Sequence, residues 1–210
     1  MIAIVDYGMG NLRSAQKGIE KAGFEATITD DPAVIDTANG VILPGVGAFK
    51  DCFEGLREHG LVEPVRRAAF SGRPFLGICV GMQLMFESSE EGEDTEGLGI
   101  FKGPVVRFPN GRETGFKVPH MGWNALTPIP GKPNPLLEGS SSQPFVFFVH
   151  SYYPAPEDPE VILAEAQHGV RFAAICGRDN VFGVQFHPEK SQREGLALLQ
   201  AFGRLTEENA

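Results

Sequence analysis

Cysteine is scarce: Cys52, Cys79 and Cys176 are the only three in 210 residues, far apart and without a C-x-x-C pair. An odd, scattered set supports neither a disulfide framework nor a zinc site, and it fits a reducing, cytoplasmic setting. Positive charge is short as well. The chain has 18 Lys and Arg against 27 Asp and Glu, a formal net charge of −9. No basic run offsets this, which argues against nucleic acid and anionic membrane as partners. No apolar stretch approaches the ~20 residues of a membrane span. The amino-terminal MIAIVDYGMGN lacks a basic lead and a cleavage site, so it reads as a core strand and not as a signal peptide. A dinucleotide loop also fails: Gly8 and Gly10 follow that strand, but Arg13 stands where a third glycine is needed.

What is present points to one α/β domain spanning residues 1–210. The first half alternates apolar strands (IAIVDYG, FEATIT, GVILPG, PFLGI) with helical segments (NLRSAQKGIEKAG, then AFKDCFEGLREHGLVEPVRRAAFSG broken near Gly60). That rhythm predicts a central, mostly parallel sheet with helices on both faces. The acidic ESSEEGEDTEGLG, residues 87–99, reads as a solvated loop whose spacing matches no metal-ligand template. Neither a metal nor a cofactor is expected. The second half brings antiparallel strands (FVFFVHSYY, EVILAEAQHG, RFAAICG, VFGVQFHPE), with GRDN as a hairpin turn between the last two. A closing helix carries Leu196, Leu199 and Phe202 on one stripe.

One cysteine stands apart. In PFLGICVGMQLMF, residues 74–86, Cys79 lies between Gly77 and Gly81 where a strand gives way to a helix. G-x-C-x-G there has the form of a nucleophile elbow, whose sharp turn crowds the positions two residues either side of the nucleophile. The following helix would favour thiolate through its dipole, and the Val80 amide would face a forming oxyanion. Cys52 and Cys176 lack such surroundings and read as packing residues. Among five histidines, only His187 has a carboxylate two residues on, Glu189. In an extended segment the two project to one side, which suits a base and the group that orients it. His59, His120, His150 and His168 read as isolated structural histidines. LPGVGAF, residues 43–49, is a glycine-rich loop after a buried strand and supplies candidates for a second oxyanion donor, Val46 or Gly47.

LPGVGAF, GICVGMQ and GVQFHPEKS, in that order, resemble the class I (triad-type) glutamine amidotransferases over most of the chain. DYGMGN, KVPHMGWN (117–124) and FFVHSYY (147–153) narrow the resemblance to the glutaminase subunits of imidazole glycerol phosphate synthases, enzymes of histidine biosynthesis. The resemblance implies that Cys79 attacks the side-chain amide of L-glutamine to form a γ-glutamyl thioester and ammonia. His187 then serves as base and acid and Glu189 as its orienter, with Val80 and Val46 or Gly47 as oxyanion amides. It places glutamine against Gly47, Gln83 and the Ser151–Tyr152 backbone. It also implies a separate (β/α)8-barrel cyclase that receives the ammonia and makes imidazole glycerol phosphate and an aminoimidazole carboxamide ribotide. Asn11, Met121, Gly122, Trp123 and Lys190 would lie near that interface.

Overall fold

The structure, a computed structural model, describes residues 1–92, 94–109 and 115–208. Its first half runs β1 (Ile2–Val5), α1 (Leu12–Ala22), β2 (Ala26–Thr29), α2 (Pro32–Thr37), β3 (Gly40–Gly45), α3 (Phe49–Glu58), α4 (Val62–Ala69), β4 (Phe75–Cys79) and α5 (Val80–Leu84). β1, β3 and β4 are buried along their whole length, as strands covered on both faces must be. Gly23 ends α1 in the left-handed conformation expected of it, φ 101°. The long second helical segment, expected to break near Gly60, divides at residues 59–61 into α3 and α4.

Beyond α5 come β5 (Ser88–Ser89), β6 (Thr95–Glu96), β7 (Pro104–Arg107), β8 (His120–Ala125), β9 (Thr127–Pro128), β10 (Phe145–His150) and β11 (Tyr152–Pro154). The chain continues through β12 (Ile162–His168), β13 (Val170–Arg178), β14 (Val181–Val184) and α6 (Gln192–Glu208). The main sheet has the order β2-β1-β3-β4-β14-β13-β12-β9. Its first five strands are parallel and the rest antiparallel. The expected mixed architecture is therefore present, and β13 and β14 meet through the anticipated tight turn, with Asp179 at φ 52°. On the helical layers α1 packs against α6 and α2 against α4. Leu199 and Phe202 of α6 are buried, with Leu198 beside them and Leu196 at the margin.

Two expectations need correction. FVFFVHSYY is not one strand: β10 pairs with β8 in a two-stranded ribbon, the chain breaks at Ser151, and β11 joins β7 in a separate four-stranded sheet. The acidic stretch is not simply a solvated loop either. It contributes β5 and β6, and its carboxylates accept backbone N–H groups: Glu87 from Gly103 and Glu91 from Phe49, both at 2.9 Å. Unsatisfied amides in turns draw in nearby carboxylates, and that competes well with full hydration. Residue 93 of that stretch lies outside the described residues.

Candidate active site

The site forms where β4 and β14 end side by side. They pair in parallel from Phe75↔Val181 to Ile78↔Val184, so Cys79 at one tip and the segment running on to His187 at the other converge. Cys79 takes φ 56° and ψ −114°, a conformation unusual for a residue with a side chain. The two glycines explain how the turn closes. A Cβ on Gly81 would meet the Leu43 carbonyl oxygen at 1.9 Å, and one on Gly77 would meet Met85 Sδ at 2.5 Å and the Gly81 oxygen at 2.8 Å. The elbow read from the motif is thus a real steric construction. The helix beyond it is only five residues long, shorter than the segment to Phe86 that the sequence suggested, so its dipole is correspondingly small.

His187 Nδ1 lies 2.8 Å from Glu189 Oε1, and both side chains are 3% exposed. Strand alternation does not bring them together. β14 ends at Val184, and Glu189 sits in a 3-10 turn, Pro188–Lys190, that folds the carboxylate back beneath the ring. Burial by itself would lower the imidazole pKa. The Cys79 sulfur, as thiolate, and the Glu189 carboxylate outweigh burial and raise it from 6.5 to about 9. The thiol is near enough to act on the ring without a formed hydrogen bond, for His187 Nε2 has no bonding partner among the described residues. That nitrogen is buried, oriented and free to exchange a proton.

A pocket of about 430 Å³ opens in front of this group. Val46, Gly47, Cys79, Val80, Gln83, Ser151, Tyr152, His187 and Lys190 line it, joined by Glu91, Pro119, Val149 and His150. All the expected substrate and oxyanion residues therefore meet in one place. Asn11 lies behind, lining a much smaller void with His187 and Glu189. Met121, Gly122 and Trp123 do not line the pocket. They lie on β8, with Met121 62% and Trp123 47% exposed. Gln83 is buried and its Nε2 donates to the Tyr152 carbonyl at 2.8 Å and to Gln185 Oε1 at 3.1 Å.

Sequence reasoning missed Gln185, fully buried, whose Nε2 stands 3.9 Å from Cys79 Sγ. Its place two residues before His187 was the available signal. Cys52 is more than packing. Its thiol donates to the Val46 carbonyl at 3.3 Å, and Tyr7 donates to the Pro44 carbonyl near the end of β3 at 2.6 Å. Burial pushes the Cys52 pKa up to about 11, so it stays a thiol and a donor. His120 and His150 are not isolated, since His120 Nδ1 lies 3.0 Å from His150 Nε2.

A cysteine elbow, an oriented histidine and a glycine loop around one pocket define an acyl-transfer site of the amidotransferase type, and the chain belongs to the glutamine amidotransferase class-I family, whose model matches residues 3–204. It is 55% identical over 206 residues to the imidazole glycerol phosphate synthase subunit HisH of Syntrophotalea carbinolica, covering 97% of this chain and 99% of that protein. The protein of the same name from Geobacter sulfurreducens is 52% identical over 207 residues, covering 97% and 98%. Among solved structures, one described as a glutamine amidotransferase superposes with a TM-score of 0.72 at 20% identity, covering 99% of this chain and 100% of that one. The structure of PurLQS from Thermotoga maritima gives 0.70 at 21%, covering 99% and 95%. At such identities these two speak for the fold.

Proposed function

We propose that the protein is the glutaminase subunit of an imidazole glycerol phosphate synthase, hydrolysing L-glutamine to glutamate and passing ammonia to a partner cyclase in histidine biosynthesis. The observation that carries the chemistry is His187, held by Glu189 through Nδ1 and left unpartnered at Nε2 beside the strained Cys79.

The steps follow from that arrangement. The proton shared by Cys79 and His187 rests on His187 Nε2, as the raised imidazole pKa requires, and the Cys79 thiolate attacks the glutamine carboxamide carbon. Negative charge collects on the former carbonyl oxygen, against the backbone amides of Val80 and of Val46 or Gly47. His187 returns the proton to the leaving nitrogen, the C–N bond breaks, and ammonia departs from a γ-glutamyl thioester. A water molecule then gives its proton to His187 and attacks the thioester carbon. Glutamate leaves, and Cys79 returns as thiolate beside the protonated His187. Glu189 keeps the ring in one tautomer and offsets its charge throughout. Gln83, Gly47 and the Ser151–Tyr152 backbone hold the amino-acid end of the substrate.

The constellation around Cys79 makes ammonia and does not consume it, so the single domain of residues 1–210 calls for a separate acceptor. A (β/α)8-barrel cyclase is the proposed one, docking near Asn11, Met121, Gly122, Trp123 and Lys190. The three unpaired cysteines fit a cytoplasmic setting, and no helix among the described residues is long and apolar enough to cross a membrane. Glutamate release is the test, for wild type and Cys79→Ala, with and without the cyclase and its nucleotide ligand. Release by wild type only with its partner supports both the triad and the coupling. Full turnover by the free subunit would refute the coupling, and no release under any condition would leave a partner-binding module.

A further inference from the structure

A chain of hydrogen bonds runs inward from β8 to the pocket. Asn124 Nδ2 lies 3.2 Å from His120 Nε2, His120 Nδ1 lies 3.0 Å from His150 Nε2, and His150 Nδ1 lies 2.9 Å from the Tyr152 carbonyl oxygen. The same oxygen accepts from Gln83 Nε2 at 2.8 Å. Its far end fixes the direction of every bond. A carbonyl only accepts, so His150 Nδ1 carries hydrogen. In a neutral ring Nε2 is then the acceptor, so His120 Nδ1 donates to it. His120 Nε2 accepts in turn, and the Asn124 amide nitrogen supplies the donor. Burial, with His168 adding to it, lowers His120 to about 4. Burial lowers His150 to about 3, with the bond to Tyr152 opposing it, so both rings are neutral near pH 7.

Packing does not account for imidazoles at these places. His120 stacks on Phe148 with centroids 4.7 Å apart, and His150 lies 5.1 Å from both Phe108 and Phe172. A phenylalanine suits such a nest without the cost of burying four ring nitrogens. What the imidazoles supply is direction. They fill the second acceptor site of the Tyr152 carbonyl and fasten the segment where β10 ends and β11 begins.

We propose that His120 and His150 are positioning residues: they orient the Ser151–Tyr152 backbone and Gln83 for the amino-acid substrate and tie that backbone to β8, the strand that presents Met121 and Trp123 to a partner. The inference rests on the glutaminase reading and extends it, since partner docking on β8 and substrate placement then share one polar chain.

Two His150 variants separate positioning from bulk. His150→Phe fills the nest and removes both bonds. His150→Asn keeps a donor at the Nδ1 position and so keeps the bond to Tyr152. In the complex with its cyclase, His150→Phe is expected to raise KM for glutamine about tenfold with kcat within about twofold, and His150→Asn to show most of the wild-type KM. His120→Phe, which removes the side-chain link to β8 and leaves the β8–β10 backbone ladder in place, is expected to lower the partner's stimulation of turnover at least fivefold. Imidazole ¹⁵N spectra at pH 7 should show both rings neutral with hydrogen on Nδ1, the minority tautomer of free histidine. A charged ring, or hydrogen on Nε2 of either, overturns the relay. KM unmoved by both His150 variants overturns the positioning role while glutaminase activity stands, and unchanged stimulation in His120→Phe overturns the tie to β8. A wild-type complex that releases no glutamate would sink the glutaminase reading and this role with it.

Discussion

At the scale of single residues, His187, set between Cys79 and Glu189, makes stability depend on pH in a stated direction. The folded pKa of about 9 exceeds the unfolded 6.5, so between those values the folded chain holds a proton that the unfolded chain has released. The stabilisation is complete below about pH 6.5 and is lost as pH rises through about 9. Its size is on the order of 3–4 kcal/mol at ~1.4 kcal/mol per unit. Urea unfolding at pH 6, 7.5 and 9.5 should show this decline for wild type and a much smaller one for Glu189→Gln; equal slopes would remove Glu189 as a cause. Cys79→Ala is expected to lose more than 99% of glutamate release while still binding the cyclase, read by calorimetric titration. These three residues were legible because each lies in a short motif whose neighbours explain it: two glycines around Cys79, a proline between His187 and Glu189. Gln185, the Cys52 contact with Val46 and the His120–His150 pair were not, since each depends on a partner at least six residues away and, for the pair, thirty.

At the scale of elements, the tight crossing of β3 by the turn into α5 sets a limit on what the sequence tolerates. A Cβ on Gly81 would lie 1.9 Å from a β3 backbone oxygen, which no side-chain rotation relieves. Gly81→Ala should therefore cost about 3 kcal/mol, the upper range for overpacking, and displace the Cys79 thiol. A fall in the urea midpoint together with lost turnover is expected; a midpoint equal to wild type would mean that β3 and β4 part easily. The parallel half of the sheet was readable because β1, β3 and β4 are short apolar runs between helical segments. The break at Ser151 was not. An alternating apolar run tells which face of a strand is buried and says nothing of which sheet its two halves join. The acidic stretch misled for a similar reason: its composition is that of a loop, while its carboxylates are committed to backbone amides.

At the scale of the whole molecule, Met121 and Trp123 are exposed together on β8, alongside Phe145, 50% exposed, on the paired strand β10. Trp123→Ala should leave the thermal midpoint nearly unchanged, since the ring is half exposed, and should weaken cyclase binding about tenfold or more. Titration calorimetry at one salt concentration reads the second effect, and an unaltered affinity would move the interface away from β8. The position of β14 has a consequence for the birth of the protein. It is the last strand of the sheet to be synthesised, yet it lies in the middle, between β4 and β13. Cys79 therefore emerges from the ribosome more than a hundred residues ahead of Gln185 and His187, and the sheet that joins them closes only when β14 threads home, a slow, long-range event. Until then a nascent or truncated chain carries an idle thiol and cannot drain the cell's glutamine.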